Sequence, residues 1–294
     1  MNFADIDKLL GTERIPMAVC MPEEEDSIVA AYEASNRGFV ECILVGNANV
    51  IHSYIEKYAP GFNPEIIHAD TPEMAAFKCV ELVRNGRASA VMKGNISTPI
   101  LLKAVLNSET GIKKSNVLCH VLVYEWDNSL KFLTDGGMIP HPTLEEKIEI
   151  VSNTVALAHK LGLDVVRVAA LSSVEKINPK IKSTLDAAIL SKMGERGQFG
   201  KNCLVEGPLA LDNAISEESA HHKGIYNEVV GKADVLLAPD IDTGNILGKS
   251  ILYYGNTPTG GMIIGAKVPV IMLSRSDTID VRLNSIKIAL AAGK

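Results

Sequence analysis

The chain has 294 residues, which is long for one domain, and the usual relation of length to domain number favours two. Its formal net charge is −6 and its 29 basic residues form no stripe, so neither nucleic-acid binding nor membrane-surface binding is indicated. The first residues lack the apolar core of a secretion signal, and no apolar run approaches a membrane span, so we expect a cytoplasmic protein. The five cysteines are far apart and match no metal spacing, which favours reduced thiols.

The first third of the chain alternates short apolar runs with longer amphipathic ones. Pro72 stands at the first position of one predicted helix, where its missing N–H costs no hydrogen bond. Such alternation predicts a mostly parallel sheet with helices on both faces. Strands are predicted at 14–21, 40–45, 65–69 and 89–92, and helices at 23–36, 47–58, 71–84 and from Ser97-Thr98-Pro99 onward.

The middle of the chain changes in character. Apolar runs at 117–124 and 130–133 flank Asp127-Asn128 and predict a β-hairpin. Thr143 and Glu146 fit a capping box for a helix that reaches about residue 159. Further strands are predicted at 165–171, 203–205, 235–238, 262–264 and 268–273, with a closing helix at 281–292.

Three patterns suggest other chemistries, and each has a simpler interpretation. Gly248-Lys249-Ser250 resembles part of a phosphate loop, but that loop needs a glycine where this chain has Thr243. His221-His222 lies in a polar helical stretch without the spacing of metal-binding pairs, so a solvated helix end is favoured. We therefore expect no metal site. Three acidic residues have the chemistry to bind Mg²⁺, yet turn formation explains them equally well: Asp212, Asp240 and Asp242.

Four loops with small, polar or charged residues follow predicted strands, at 93–98, 206–212, 240–245 and 274–277, and a fifth at 135–137 ends the hairpin. Ligands of α/β sheets bind outside the carboxyl ends of the strands. The loop at 93–98 suits a phosphate cradle, because Gly94 permits close backbone approach and the helix behind it presents free N–H groups. Lys93 adds a cation and Thr98 a hydroxyl, although Thr98 taken alone is better explained as only a helix cap.

Ser274 and Arg275 directly follow the last predicted strand. An arginine in this position can bind phosphate through two parallel hydrogen bonds, and Asp277 or Asp280 can accept a proton. The alternative is a surface salt bridge together with an N-cap for the last helix.

Six stretches stand out in order along the chain: KGNIST at 93–98, TDGGMIPHPTLEEK at 134–147, LSSVEKINPK at 171–180, EGPLALDNAIS at 206–216, PDIDTGNILGKS at 239–250 and GAKVPVIMLSRSD at 265–277. Together they resemble the phosphate acetyltransferase and butyryltransferase family. Each motif alone is modest, but their order over nearly the whole chain is specific. LSSVEK, DAAILSKMGERG at 186–197 and GPLALDNA look like the butyryltransferase branch.

The resemblance implies a fold similar to isocitrate and isopropylmalate dehydrogenases, in which two α/β domains have a cleft between them. The first domain would be discontinuous, with residues 1–121 and 267–294, and the second would comprise residues 122–266. The resemblance also implies a homo-oligomer in which the second domain contributes to the interface.

The implied reaction is acyl-CoA + phosphate = acyl phosphate + CoA, with a butyryl or branched short acyl group and no cofactor beyond coenzyme A. By the resemblance, Ser274 and Arg275 act on the carbonyl and phosphate, and Asp277 or Asp280 is the base. The acetyl branch has its base seven residues beyond the serine, where this chain has Val281. The other expected substrate contacts are Lys93, Gly94, Thr98, Lys103 (an arginine in the acetyl branch), Asp240, Thr243, Gly244 and Asn245.

Three alternatives stay open. The chain would be a phosphate acetyltransferase if acetyl-CoA were its preferred substrate. A metal- and NAD-dependent dehydrogenase of the same fold would hold its metal at Asp240 and Asp242. A non-catalytic protein that binds coenzyme A would share the same motifs without turnover.

Overall fold

The computed structural model describes residues 1–272, 274 and 276–293, so Leu273, Arg275 and Lys294 lie outside the described residues. The helices are α1 Phe3–Leu10, α2 Glu25–Asn36, α3 Ala48–Tyr58, α4 Pro72–Arg84, α5 Thr98–Val105, α6 Leu144–Lys160, α7 Lys182–Glu195, α8 Leu211–Ile215, α9 Glu217–His222, α10 Ile241–Tyr253 and α11 Ile279–Gly293. The strands are β1 Ile15–Cys20, β2 Val40–Gly46, β3 Glu65–His68, β4 Ala90–Lys93, β5 Cys119–Trp126, β6 Ser129–Thr134, β7 Val166–Leu171, β8 Cys203–Leu209, β9 Val235–Leu237, β10 Thr259–Ile264 and β11 Val270–Met272. This alternation gives a mixed α/β fold.

The chain divides into two compact units. The first unit comprises Phe3–Asn116 and Gly260–Lys294, and the second comprises Met1–Asn2 and Val117–Thr259. Within residues 1–272, 274 and 276–293, no helix combines the length and the apolar character needed to cross a membrane.

The first unit contains the strand order β3-β2-β1-β4-β11-β10. Neighbouring strands from β3 to β11 run parallel, and β10 is antiparallel to β11. From β1 the chain moves outward to β2 and β3, and it then returns to place β4 on the other side of β1. The strand order therefore reverses between β1 and β4, and such a reversal opens a ligand crevice at the carboxyl ends of the two strands.

The second unit contains the strand order β5-β6-β9-β7-β8. β5 and β6 form the predicted antiparallel hairpin, closed by Asp127 and Asn128 with φ of 49° and 56°. The pairs β6–β9, β9–β7 and β7–β8 are parallel. The chain leaves β7 for the edge strand β8 and returns to insert β9 beside β7. A second reversal of strand order, and a second crevice, therefore lies between β7 and β9.

Several helix starts follow local capping chemistry. The Thr143 hydroxyl accepts the N–H of Glu146 at 3.2 Å, while the Glu146 carboxylate accepts the N–H of Thr143 at 2.8 Å, which is the predicted capping box. Thr71 caps α4, and Pro72 occupies the first turn as predicted. The last strand begins at Val270, two residues later than predicted, because Pro269 lacks the N–H that would extend the ladder before β11, and the predicted end at Leu273 lies outside the described residues.

Candidate active site

The crevice of the first unit holds a small cavity of about 70 Å³. Its walls come from the chain after β1, the chain after β4, the turn after β11 and one side chain of α11. This cavity brings together Lys93, Gly94 and Ser274, three of the residues that the sequence singled out. The described residues that line it are Glu24, Asp26, Ser27, Lys93, Gly94, Asn95, Ile96, Ser274 and Arg282.

Gly94 lies tightly against the backbone that follows β1. Its N–H donates to the Cys20 carbonyl at 2.9 Å, and the N–H of Asn95 donates to the Met21 carbonyl at 2.6 Å. A Cβ added to Gly94 would overlap the carbonyl oxygen of Met21. The close approach that Gly94 permits is therefore to another loop of the protein. Both amides are already bonded, so neither is available to an anion in this cavity.

Thr98 and Lys103 are not among the described residues that line this cavity. Ser97 is the N-cap of α5 and Thr98 is its first helical residue, so the interpretation of Thr98 as the helix cap is wrong. The Thr98 hydroxyl instead points to the sulfur of Met272 at 3.9 Å. Lys103 lies on an exposed position in the last turn of α5.

The chain after β11 forms a tight turn. The N–H of Ser274 donates to the Asp277 carboxylate at 2.7 Å, and the N–H of Asp277 donates to the Ser274 carbonyl at 3.1 Å. Asp277 is thus engaged in closing the turn, whereas Asp280 is exposed in the first turn of α11. Arg275 lies outside the described residues, and its predicted role stays a prediction.

Arg282 is a cavity residue that the sequence analysis missed. It lies on α11 with only 5% of its side chain exposed, and its guanidinium pairs with Asp26 at 2.8 Å. Its Nε also donates to the carbonyl of Asp277 at 3.1 Å. The available signal was one arginine within the otherwise largely apolar closing helix, which is unusual for a buried helix face.

The crevice of the second unit holds a much larger cavity of about 1110 Å³. It opens at the carboxyl ends of β7 and β9, with walls from the starts of α6, α7 and α10. Aliphatic and proline side chains contribute much of the wall, including Leu144, Leu171, Leu211, Ile246 and Leu247. Polar residues at its edge include His141, Ser172, Ser173, Lys182, Ser183, Asp240, Asp242 and Thr243.

The start of α10 is locked onto the loop that ends the hairpin. The Asp240 carboxylate caps the helix by accepting the N–H of Thr243 at 2.8 Å, and both residues line the cavity. Asn245 donates to the Gly136 carbonyl at 3.0 Å. A Cβ on Gly244 would overlap the carbonyl oxygen of Asp135, so this glycine permits close packing. Gly244 and Asn245 are not among the described residues lining the cavity, and their contacts are structural.

Asp135 organises that loop from within. Its buried carboxylate accepts N–H bonds from His120 at 3.1 Å, Gly137 at 2.9 Å, Met138 at 3.1 Å and Ile139 at 3.0 Å. Burial raises the pKa of Asp135, and these four hydrogen bonds oppose the rise. The carboxylate therefore fixes the loop against which α10 packs.

A buried ion pair supports the floor of the larger cavity. Lys147 on α6 contacts Asp186 on α7 at 2.8 Å, and their side chains are 5% and 8% exposed. Lys182 reaches the same carboxylate at 2.5 Å from a solvent-exposed position. Burial alone would raise the pKa of Asp186, but the two ammonium groups outweigh it and hold the pKa below its usual value. Asp186 is therefore ionised at neutral pH.

Asp240 is also ionised at neutral pH. Burial acts to raise its pKa, but the hydrogen bonds from Thr243, together with the charges of His141 and Lys147, lower the pKa below its usual value. His141 therefore has an acidic neighbour, which the sequence analysis did not find.

Neither a metal centre nor a thiol nucleophile is indicated by the described residues. Among residues 1–272, 274 and 276–293, no cluster of three or more His, Cys, Asp or Glu side chains forms a candidate metal site. All five cysteines are free and buried. Burial raises the pKa of Cys42 and of Cys203 to about 12, which keeps both thiols protonated and poorly nucleophilic.

Known proteins resemble this chain over nearly its whole length. A family model described as "Phosphate acetyl/butaryl transferase" matches residues 54–290. A phosphate butyryltransferase from Clostridium acetobutylicum is 44% identical over 292 residues, covering 98% of this chain and 97% of that protein. A phosphate acetyltransferase from Thermotoga maritima is 38% identical over 276 residues, covering 93% of each.

Solved structures agree with these similarities. A branched-chain phosphotransacylase from Enterococcus faecalis superposes with a TM-score of 0.83 at 31% identity, covering 95% of this chain and 99% of that one. A 4-hydroxythreonine-4-phosphate dehydrogenase from Klebsiella pneumoniae matches with a TM-score of 0.51 at 13% identity, covering 96% and 100%, which shows a likeness of fold alone. The family resemblance read from the ordered motifs is confirmed: the chain belongs to the Phosphate acetyl/butaryl transferase family.

Proposed function

We propose that this protein transfers a butyryl or branched short-chain acyl group between coenzyme A and inorganic phosphate. The reaction is acyl-CoA + phosphate = acyl phosphate + CoA. The observation that carries the proposal is the near full-length similarity to a phosphate butyryltransferase at 44% identity, against 38% for the acetyltransferase. The likeness to a branched-chain phosphotransacylase supports the same range of acyl groups.

The proposal assigns one crevice to each kind of substrate. The small polar cavity of about 70 Å³ suits an inorganic anion, and Lys93 supplies a cation there. The cavity of about 1110 Å³, with its aliphatic wall, suits the acyl chain and the pantetheine arm of coenzyme A. Both substrates must meet for the acyl group to be transferred.

The chemistry then needs a donor for the oxyanion and a base. A phosphate oxygen attacks the thioester carbonyl, the C–S bond breaks with its electron pair on sulfur, and the thiolate takes a proton from the carboxyl group that serves as the base in the reverse direction. The oxyanion that develops requires a fixed donor, for which Ser274 and Arg275 are proposed. In the reverse direction a carboxylate must take the thiol proton, because a thiol with a pKa of about 8.5 is only partly ionised at neutral pH. Asp277 and Asp280 are the proposed candidates. No cofactor beyond coenzyme A enters this scheme.

A thiol-release assay tests the proposal. Butyryl-CoA plus phosphate should release free thiol, detected with DTNB, faster than acetyl-CoA does, and release should stop when phosphate is omitted. A preference for acetyl-CoA would assign the acetyltransferase activity instead. Absence of phosphate-dependent release with every acyl chain from two to six carbons would overturn the proposal. Light scattering on the purified protein tests the proposed homo-oligomer.

A further inference from the structure

We infer that Arg282 is a positioning residue for Ser274, an inference that rests on the proposed function. Arg282 ties the turn that begins at Ser274 to the start of α2, and it thereby sets the place of the Ser274 hydroxyl at the small cavity. None of the six stretches that carry the family resemblance includes this arginine.

A chain of short contacts carries the inference. The guanidinium of Arg282 pairs with Asp26, in the first turn of α2, at 2.8 Å. Its Nε donates to the Asp277 carbonyl at 3.1 Å. Asp277 in turn bonds Ser274 twice, through its carboxylate at 2.7 Å and its N–H at 3.1 Å. Every step from α2 to Ser274 is therefore a direct hydrogen bond or ion pair.

The burial of Arg282 indicates that this side chain positions its partners more than it stabilises the fold. The Arg282 side chain is 5% exposed, whereas Asp26 is 50% exposed. Because the Arg282 guanidinium loses its hydration on burial, an ion pair of this kind is often no more stabilising than well-packed aliphatic residues of similar volume. A leucine in this helix would therefore meet the needs of packing. What a leucine lacks is the planar fork, which reaches two acceptors in fixed directions.

Arg282 lies at the small cavity, where the position of Ser274 matters for the proposed reaction. Asp26, Ser274 and Arg282 all line the cavity that also contains Lys93. A serine that donates to a developing oxyanion must be held to a fraction of an ångström, since a shift of about 1 Å costs on the order of 100-fold in rate. The contacts of Arg282 restrain Ser274 in this way through Asp277.

The first test compares the variants Arg282→Met and Arg282→Lys with the control Arg87→Met. Arg87 lies in the same unit and forms an exposed pair with Glu65, in which both carboxylate oxygens are 2.8 Å from one guanidinium nitrogen. We expect Arg282→Met to lower kcat by at least about 10-fold, with KM for coenzyme A within about 2-fold, because placement and not binding is lost. Arg282→Lys should recover only part of the loss, since a lysine has no fork. A kcat for Arg282→Met within about 2-fold of the Arg87→Met value overturns the inference.

A double-mutant cycle separates positioning from a purely structural role. If Arg282 acts through Ser274, Arg282→Met should lower kcat by less than about 2-fold when Ser274→Ala is already present. The inference is overturned if the decrease in kcat of the double variant equals the product of the decreases in the two single variants. Should Arg282→Met fail to fold, Asp26→Asn weakens the same anchor from a half-exposed position, and an unchanged kcat in that variant overturns it equally. If the parent enzyme releases no thiol from any short acyl-CoA, the proposed function itself fails.

Discussion

The crevices of the two units both lie where the strand order of the sheet reverses, but different contacts enclose them. In the first unit, backbone packing at Gly94 and the contacts of Arg282 enclose about 70 Å³ of polar space. In the second, a buried Lys147–Asp186 pair and an aliphatic wall border about 1110 Å³. Reversal of strand order determines where a crevice forms, whereas the side chains around it decide whether an anion or a bulky organic group fits.

The largest expected effect is on the stability of the second unit. Lys147→Met leaves the Asp186 carboxylate buried with only Lys182 as its partner, and should lower the free energy of unfolding by about 3–5 kcal/mol. Urea denaturation measures this change. The exposed pair of the first unit serves as the control, since Arg87→Met should cost at most about 1 kcal/mol.

The same variant has a defined pH dependence. Because the folded-state pKa of Asp186 is lowered, its contribution to stability is complete above the ordinary value of 3.8 and is lost as the pH falls through the lower folded value. The stability difference between parent and Lys147→Met should therefore shrink in strong acid. A difference that grows as the pH falls would contradict the ion-pair interpretation.

A smaller effect is expected where the first unit depends on close backbone approach. Gly94→Ala places a methyl group on the Met21 carbonyl and should destabilise the protein by about 1–3 kcal/mol, with a fall in kcat as Lys93 moves. Gly248→Ala in α10 is the matched control, because a Cβ there meets only ordinary contacts, with Leu122 at 3.4 Å and Leu133 at 3.5 Å. This control should be neutral or stabilising by up to about 1 kcal/mol. Equal losses in both variants would remove the special role of Gly94.

The smallest expected effect concerns acyl selectivity. Ile246 lines the large cavity and is 67% exposed, so Ile246→Ala removes wall surface with little cost to folding. If the acyl chain lies there, the ratio of kcat/KM for butyryl-CoA to kcat/KM for acetyl-CoA should fall roughly 5- to 30-fold, which corresponds to about 1–2 kcal/mol. Ile189→Ala, at a 45% exposed position on α7 outside the described lining, should leave the ratio unchanged. An unchanged ratio in Ile246→Ala would assign the acyl chain elsewhere.

Local signals made most of the elements predictable. Thr143 with Glu146, and Thr71 with Pro72, start helices through contacts within four residues, so sequence spacing alone reveals them. The cap of α5 was misassigned because Ser97 and Thr98 are adjacent and chemically alike. Helix α1 was not predicted, because its eight residues give only about two turns of amphipathic pattern.

Long-range contacts account for what the sequence could not show. Lys147 and Asp186 are 39 residues apart, and Arg282 meets Asp26 across most of the chain, so no spacing rule connects either pair. The family motifs located Ser274, Lys93 and Asp240 by resemblance, but the partners that hold them depend on tertiary packing.

The contact between Gly136 and Gly244 has a consequence for how this protein can be varied. Each glycine occupies the space that a side chain on the other would need, and Asn245 fastens the two segments together. The sequences of the 135–137 loop and of the first turn of α10 therefore constrain each other. Exchanging either segment with a relative should succeed only when both are transplanted together, and recombination that divides them would leave two incompatible halves.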